Sequence, residues 1–246
     1  RRTDVPPADC RGHFPALSQG QGYLDSAATA LKPQAVINAT VNFYSQEGAT
    51  VHRSQHRAAQ TLTEAYEQAR VQVADWIHAP RAENVVWTRG TTESVNLVAQ
   101  SYLRPRLQAG DEIIVSQAEH HANLIPWLML AEQCQARVIT LPVDERGMAD
   151  ISQLPALLNT RTRLLAITQM SNVTGGMPNL SLAIKLAHAN GTPVLVDGAQ
   201  GVVHCPPDVQ QLDIDFYAFS GHKLYGPTGI GCLLYTSPSP RDMRRS

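Results

Sequence analysis

Four short stretches carry residue types that can do chemistry, and each follows an apolar run. In Asp197-Gly198-Ala199-Gln200 an acid ends the run Pro193 to Val196. A carboxylate leaving an apolar strand needs a partner for its charge. A pyridinium N–H is one such partner, and the acid would keep that ring protonated as an electron sink. The alternative is an aspartate capping the next turn. Ser220-Gly221-His222-Lys223 stands after Phe216 to Phe219. A partly desolvated lysine there has a lowered pKa and can form an imine. A lone lysine reads more simply as a surface residue, but Asp197 lies 26 residues upstream at another strand end. The pair suits one cofactor gripped at opposite ends.

Arg89-Gly90-Thr91-Thr92-Glu93-Ser94 joins a strand to a helix through a glycine. Free N–H groups at the helix start, with two threonine hydroxyls, suit a phosphate. Ordinary capping, with Thr91 as N-cap completed by Glu93 or Ser94, explains the same residues. The chain contains no Gly-x4-Gly-Lys-Ser/Thr run, which argues against a nucleotide P-loop. In Glu119-His120-His121-Ala122-Asn123, His121 can stack flat on an aromatic cofactor. A metal reading of the histidine pair lacks a third ligand nearby. The pair His52 and His56 lacks the glutamate of a His-Glu-x-x-His zinc site, so no metal is expected.

The elements that must position these groups follow from periodicity. Strands are predicted over 84–88, 112–116, 137–143, 163–169, 193–197, 216–220 and 230–235. Helices are predicted over 58–76, 91–103, 124–135, 151–158 and 180–190, the last stopped by Gly191. Strand–helix alternation with continuous apolar strands predicts an α/β fold, a mainly parallel sheet flanked by helices. Ligands of such sheets sit beyond the carboxyl ends of the strands. Polar residues just after a strand therefore carry weight: Arg89 to Thr92, Glu119 to His121, Asn172, Asp197 to Gln200, and Ser220 to Lys223.

Composition excludes several classes. Of the 246 residues, 43% are apolar and 17% charged, a balance that fits a globular core. The net charge of −1, with scattered basic residues, gives no footprint for nucleic acid. The apolar runs are too short to cross a bilayer, and no secretory signal is visible at Arg1 to Pro7. Cys10, Cys134, Cys205 and Cys232 are widely separated and read as reduced, mostly buried thiols of a cytoplasmic protein.

Longer motifs then carry a resemblance. They are YLDSAATALKP (23–33), VHRSQH (51–56), VWTRGTTESVNLVAQ (86–100), AEHHANLIPW (118–127), QMSNVTGG (169–176), VDGAQGVVH (196–204) and DFYAFSGHKLYGPTGIG (215–231). Together they resemble the cysteine desulfurase and selenocysteine lyase group of fold-type-I pyridoxal-phosphate enzymes, closest to the cysteine sulfinate desulfinase branch. The resemblance implies pyridoxal 5'-phosphate held by Lys223 as a Schiff base. Asp197 would pair with the pyridine nitrogen and Gln200 with the phenolic oxygen. His121 would stack on the ring and relay protons. Thr91, Thr92, Ser220 and His222 would hold the phosphate. Asn172 and the backbone of Ala27 and Ala28 would lie near the substrate carboxylate. The implied reaction takes sulfur from L-cysteine, leaving L-alanine and an enzyme persulfide, with cysteine sulfinate and selenocysteine as related substrates. A homodimer and a sulfur-acceptor protein are the implied partners, in sulfur metabolism and iron–sulfur cluster assembly.

The expected organisation is an arm over 1–22, a large cofactor-binding domain over 23–235, and a Ser/Pro/Arg-rich tail over 236–246 that matches nothing in the family. None of the four cysteines falls where the family places its nucleophile. The resemblance stops at about Tyr235, and it implies a further small C-terminal domain that carries the nucleophile, so the chain reads as an N-terminal fragment, inactive as a desulfurase and at most able to bind cofactor. A kynureninase-like hydrolase is the third reading, disfavoured by AEHHAN and VHRSQH.

Overall fold

The computed structural model describes residues 10–18, 20, 22–48, 51 and 57–236. His52, His56 and most of the VHRSQH motif lie outside the described residues, as does the tail from 237 onward.

One seven-stranded sheet organises the chain. Its strands are β1 (Val85–Thr88), β2 (Glu112–Ser116), β3 (Arg137–Leu141), β4 (Thr162–Thr168), β5 (Val194–Asp197), β6 (Phe216–Ser220) and β7 (Gly231–Tyr235). Their order across the sheet is β1-β7-β6-β5-β4-β2-β3. Pairing is parallel from β3 through β6. β7 runs antiparallel to both β6 and β1. The mainly parallel sheet expected from the sequence is thus present with one inverted strand. β7 enters the sheet through the short connection 221–230, with no crossover helix to carry the chain back, so it runs opposite to β6.

The principal helices are α1 (Gln34–Asn42), α2 (Arg57–Trp76), α3 (Thr91–Leu97), α4 (Ile125–Cys134), α5 (Leu154–Leu157), α6 (Leu180–Ala189) and α7 (Gly201–His204). α3 continues as a wider π-turn over Val98–Leu103. α6 ends as its sequence predicts: Gly191 takes φ 74°, and the N–H of Thr192 donates to the Ala187 carbonyl. α1 was not anticipated. It buries none of its residues, so no strong apolar stripe marks it.

Alternating side chains of the central strands feed two cores. On one face Ile113, Val115, Leu164, Ala166 and Leu195 pack with Val95, Val98, Trp127 and Leu130 from α3, its π-turn and α4. On the other, Ile114, Leu165, Ile167, Val194 and Val196 pack with Ala183, Ile184 and Ala187 of α6. Every residue of β2, β5 and β6 is buried. Such two-sided burial explains their continuous apolar sequences, and it leaves the strand ends as the places where polar groups can gather.

The cysteines depart from expectation. Only Cys232 is buried; Cys10 and Cys134 are half-buried and Cys205 is exposed. Cys232 is apolar lining within β7, while Cys205 follows α7, where the chain returns to the surface.

Candidate active site

A cavity of about 510 Å³ opens beyond the carboxyl ends of β4, β5 and β6. Asp197, the last residue of β5, lines it. The residue is only 5% exposed. Its Oδ1 accepts the N–H of Ala199 at 2.9 Å, two residues on, so the capping read from the sequence also occurs. That bond does not neutralise the acid. Burial pushes the Asp197 carboxyl above its usual range, against the pull of that N–H, Lys223 and His120. Gln200 follows on the same turn, and its Nε2 donates to the Ala27 carbonyl at 2.7 Å.

Lys223 lies at the end of the short 3-10 turn Gly221–Lys223 after β6. It is half-buried, and burial lowers its pKa while the charge of Asp197 raises it. An amine so placed is easier to deprotonate, which a nucleophilic lysine requires. The neighbouring His222 is also pushed down, by burial first and then by the charges of Lys223 and Lys32.

The 23–33 stretch is locked onto this turn. The His222 carbonyl accepts from the Ala30 N–H at 3.0 Å and from Lys32 Nζ at 2.8 Å. His222 Nδ1 meets Thr29 Oγ1 at 3.2 Å, and Tyr23 Oη donates to the Thr29 carbonyl at 2.6 Å. These bonds bring Asp25, Ala27 and Ala28 to the cavity wall.

At the opposite corner, Thr91 and Ser220 meet across 129 residues of sequence. The Thr91 N–H donates to Ser220 Oγ at 2.8 Å, and the two hydroxyls are 2.8 Å apart. The N-cap of α3 is Gly90, without a side-chain cap, so Thr91 is not the cap that the sequence allowed. Gly90 takes φ 155°, which L side chains rarely adopt, and a Cβ there would come within 3.3 Å of Ser220 Oγ. Glu93 turns back to the Arg89 N–H and guanidinium instead. Thr92 and His222 complete this corner.

The histidines resolve in favour of the first. His120 lines the cavity together with Ala122, whereas His121 does not line it. His120 Nδ1 accepts the Ala122 N–H at 3.1 Å, so the neutral ring carries its proton on Nε2. Sequence periodicity had no means of choosing between adjacent residues in a turn. The capping spacing His-x-Ala was the available signal.

Glu119 was named only as part of its group. Its Oε1 accepts the Thr168 N–H at 2.6 Å and its Oε2 accepts Asn123 Nδ2 at 2.7 Å. Asn123 in turn accepts Trp127 Nε1 at 3.0 Å. Burial, then the Asp197 charge, pushes the Glu119 carboxyl up to about 8. Thr168, Met170 and Ala199 also line the cavity without having been predicted, and Asn172 lines it as expected.

The described residues therefore fit a ligand with three features. A buried acid awaits a cationic ring N–H. Hydroxyls and a helix start await an anion. Between them stands an amine able to attack a carbonyl. Among the described residues no group of His, Cys, Asp and Glu is arranged to hold a metal. No helix of the described residues is long and apolar enough to cross a membrane.

Comparison with known proteins agrees with this geometry. The family model of class-V aminotransferases matches residues 22–244. The chain is 63% identical to the cysteine desulfurase CsdA of Escherichia coli (strain K12) over 227 residues, covering 92% of this chain and 57% of that protein. It is 54% identical to the cysteine desulfurase of Dickeya dadantii, covering 91% and 55%. Its fold superposes on the crystal structure of E. coli CsdA (S-sulfonic acid) with TM-score 0.88 at 62% identity, covering 94% and 58%. The apo cysteine desulfurase of Thermococcus onnurineus NA1 gives the same TM-score at 36% identity, covering 95% and 57%. The chain thus spans a little over half the length of the relatives it matches. With its sheet, its rim of polar residues and this match, the chain belongs to the class-V aminotransferase family.

Proposed function

We propose that this chain carries the cofactor-holding part of a cysteine desulfurase, built around pyridoxal 5'-phosphate. The observation that carries the reading is that buried Asp197, half-buried Lys223 and the hydrogen-bonded Thr91–Ser220 corner line one cavity. Bound pyridoxal phosphate supplies an electron sink for the bond cleaved at the amino acid. The protein's residues supply the rest. Asp197 holds the pyridine N–H in its ionised form, which the ligand's positive charge restores against burial. Gln200 reaches the ring's oxygen, and Thr91, Thr92, Ser220 and His222 bind the phosphate. Lys223 would anchor the cofactor through Nζ and, once the substrate's amino group displaces it, the freed amine would hold the proton moved at the α-carbon.

His120, which lines the cavity where His121 does not, would take the ring-stacking and proton-relay role that the sequence reading gave to His121. Asn172 and the backbone at Ala27 and Ala28 would receive the carboxylate of L-cysteine, cysteine sulfinate or selenocysteine. None of the four cysteines lines the cavity, and burial pushes the Cys232 thiol up to about 12. The thiolate that attacks substrate sulfur is therefore assigned to none of them. A homodimer, a sulfur-acceptor protein and a cytoplasmic setting belong to the same reading and rest on the family resemblance.

The test uses the purified chain and pyridoxal phosphate. A yellow complex is expected, and borohydride should fix the cofactor to the peptide containing Lys223. The Lys223→Ala variant should give no fixed label by mass spectrometry. Label on another lysine, or a colourless protein at saturating cofactor, overturns the proposal.

A further inference from the structure

Beneath the cavity lies a buried polar pair that the chemistry above does not use. Tyr217, the second residue of β6, is wholly buried. Its hydroxyl donates to Gln169 Oε1 at 2.6 Å. Gln169, one residue past β4 and 5% exposed, donates from Nε2 to the Cys205 carbonyl at 2.7 Å. Burial and then the Asp197 charge push the tyrosine's pKa well above its usual range, so the hydroxyl keeps its proton and remains a donor.

The segment that rests on this pair runs from Asp197 to Cys205. A Cβ on Gly198 would overlap the Tyr217 ring and hydroxyl, and a Cβ on Gly201 would overlap the Gln169 amide. Both glycines are thus required by close approach rather than by φ. The turn is fixed from the backbone side as well. The Gly198 N–H donates to the Ala218 carbonyl at 2.8 Å, and the Gln169 N–H donates to the Asp197 carbonyl at 2.9 Å. The start of the segment sits on the tyrosine; its middle and end sit on the glutamine. Asp197, Ala199 and Gln200, the residues of the segment that line the cavity, are carried on this support.

We propose that the hydrogen-bonded pair Tyr217–Gln169 is a positioning strut that sets where Asp197 and Gln200 meet the cofactor's ring. The proposal rests on the reading of the cavity as a pyridoxal phosphate site. Neither residue lines the cavity, so both act through the turn. Without the tyrosine hydroxyl, Gln169 Oε1 becomes a buried acceptor with no donor, and the side chain must turn to find one. That rotation removes the seat under Gly201 and the bond to Cys205 together.

Three measurements on the 246-residue chain test this. They are the Kd for pyridoxal phosphate, the pH midpoint of the bound cofactor's visible absorbance, and Tm without cofactor. Tyr217→Phe keeps the ring under Gly198 and should weaken cofactor binding about fivefold while moving the pH midpoint. Gln169→Leu should move both in the same direction and further. The double variant should match Gln169→Leu alone, because the tyrosine acts through the glutamine. A lowered Tm with parental Kd and pH midpoint would make the pair merely structural. Additive effects in the double variant would also overturn the strut. Parent protein that binds no cofactor would sink the site assignment itself, whereas parent binding with unaltered variants sinks only the strut.

Discussion

The two ends of the sheet use the same residue types in opposite ways. At the amino ends of the strands, each acid is matched. Asp111 pairs with Arg163 at 2.9 Å. Glu112 accepts from Arg137 at 2.5 Å and from Asn159 at 2.7 Å. His188 stands between Asp213 at 3.1 Å and Asp215 at 2.8 Å, and Asp215 also accepts the Val194 N–H. The Arg163 side chain holds the Asp111 carboxyl below its usual range. At the carboxyl ends, Asp197 and Glu119 are pushed up and Lys223 and His222 pushed down, each by burial first. Burial without compensation costs stability in the empty protein. At one end the countercharge comes from the chain. At the other it must come from a ligand, and perturbed groups clustered in a cleft are the usual mark of a functional site.

Changing a group at either end should separate affinity from stability. The largest effect is expected at Asp197. Asp197→Asn should weaken pyridoxal phosphate binding by about thirtyfold or more, the effect of removing one member of a buried charge pair. The cofactor-free variant should melt higher than the parent, since it loses an uncompensated acid. A lower apo Tm for the variant would contradict the division between the two ends.

Glu119→Gln should show next, as a pH effect. The folded acid keeps its proton up to about pH 8, whereas the unfolded chain releases it near 4.5. In that window the folded state binds more protons, so the parent loses stability as pH rises. The glutamine variant escapes that loss. Its Tm advantage should grow from pH 5 to pH 8 and then level off. A constant difference across that range would show that Glu119 is not held protonated.

Asp111→Asn should cost about 1–3 kcal/mol of stability by urea unfolding, with cofactor affinity unchanged. Because the Asp111 pKa is depressed, its contribution is present above pH 3.8 and lost as pH falls further, so the variant's deficit should shrink in acid. The smallest effect is expected at Arg137, whose side chain is 64% exposed. Arg137→Ala should cost about 1 kcal/mol or less and should fade with added salt. Loss of cofactor binding in either of these variants would break the comparison.

Much of this division was legible in the sequence. Apolar strands announced themselves because both faces of the central strands are covered, and the rule that polar residues after a strand face the ligand brought Asp197, Gln200, Ser220, Lys223 and Asn172 to one cavity. What escaped has physical reasons. The choice of His120 over His121 depends on a turn after β2, where strand alternation has ended. The direction of β7 depends on a short connection that periodicity does not encode. Tyr217 reads as one more apolar strand residue, and its bond to Gln169 spans 48 residues that only the sheet order brings together. Gly198 and Gly201 look like turn residues, although what forbids a Cβ is the pressure of side chains from neighbouring strands.

The position of β7 also has a bearing on how the molecule comes into being. β1 is translated first among the strands, yet its partner is the last of them: Val85 pairs with Leu234. With ribosomes adding about 5–20 residues per second, β1, an edge strand whose neighbour in the sheet is β7, waits roughly ten seconds without a strand partner. Thr91 waits in the same way for Ser220. The anion corner is thus a late product of folding, assembled by contacts of high sequence separation that slow barrier crossing. Free cofactor would capture only chains that have completed the sheet, and its binding would draw nascent chains out of the aggregation-prone pool.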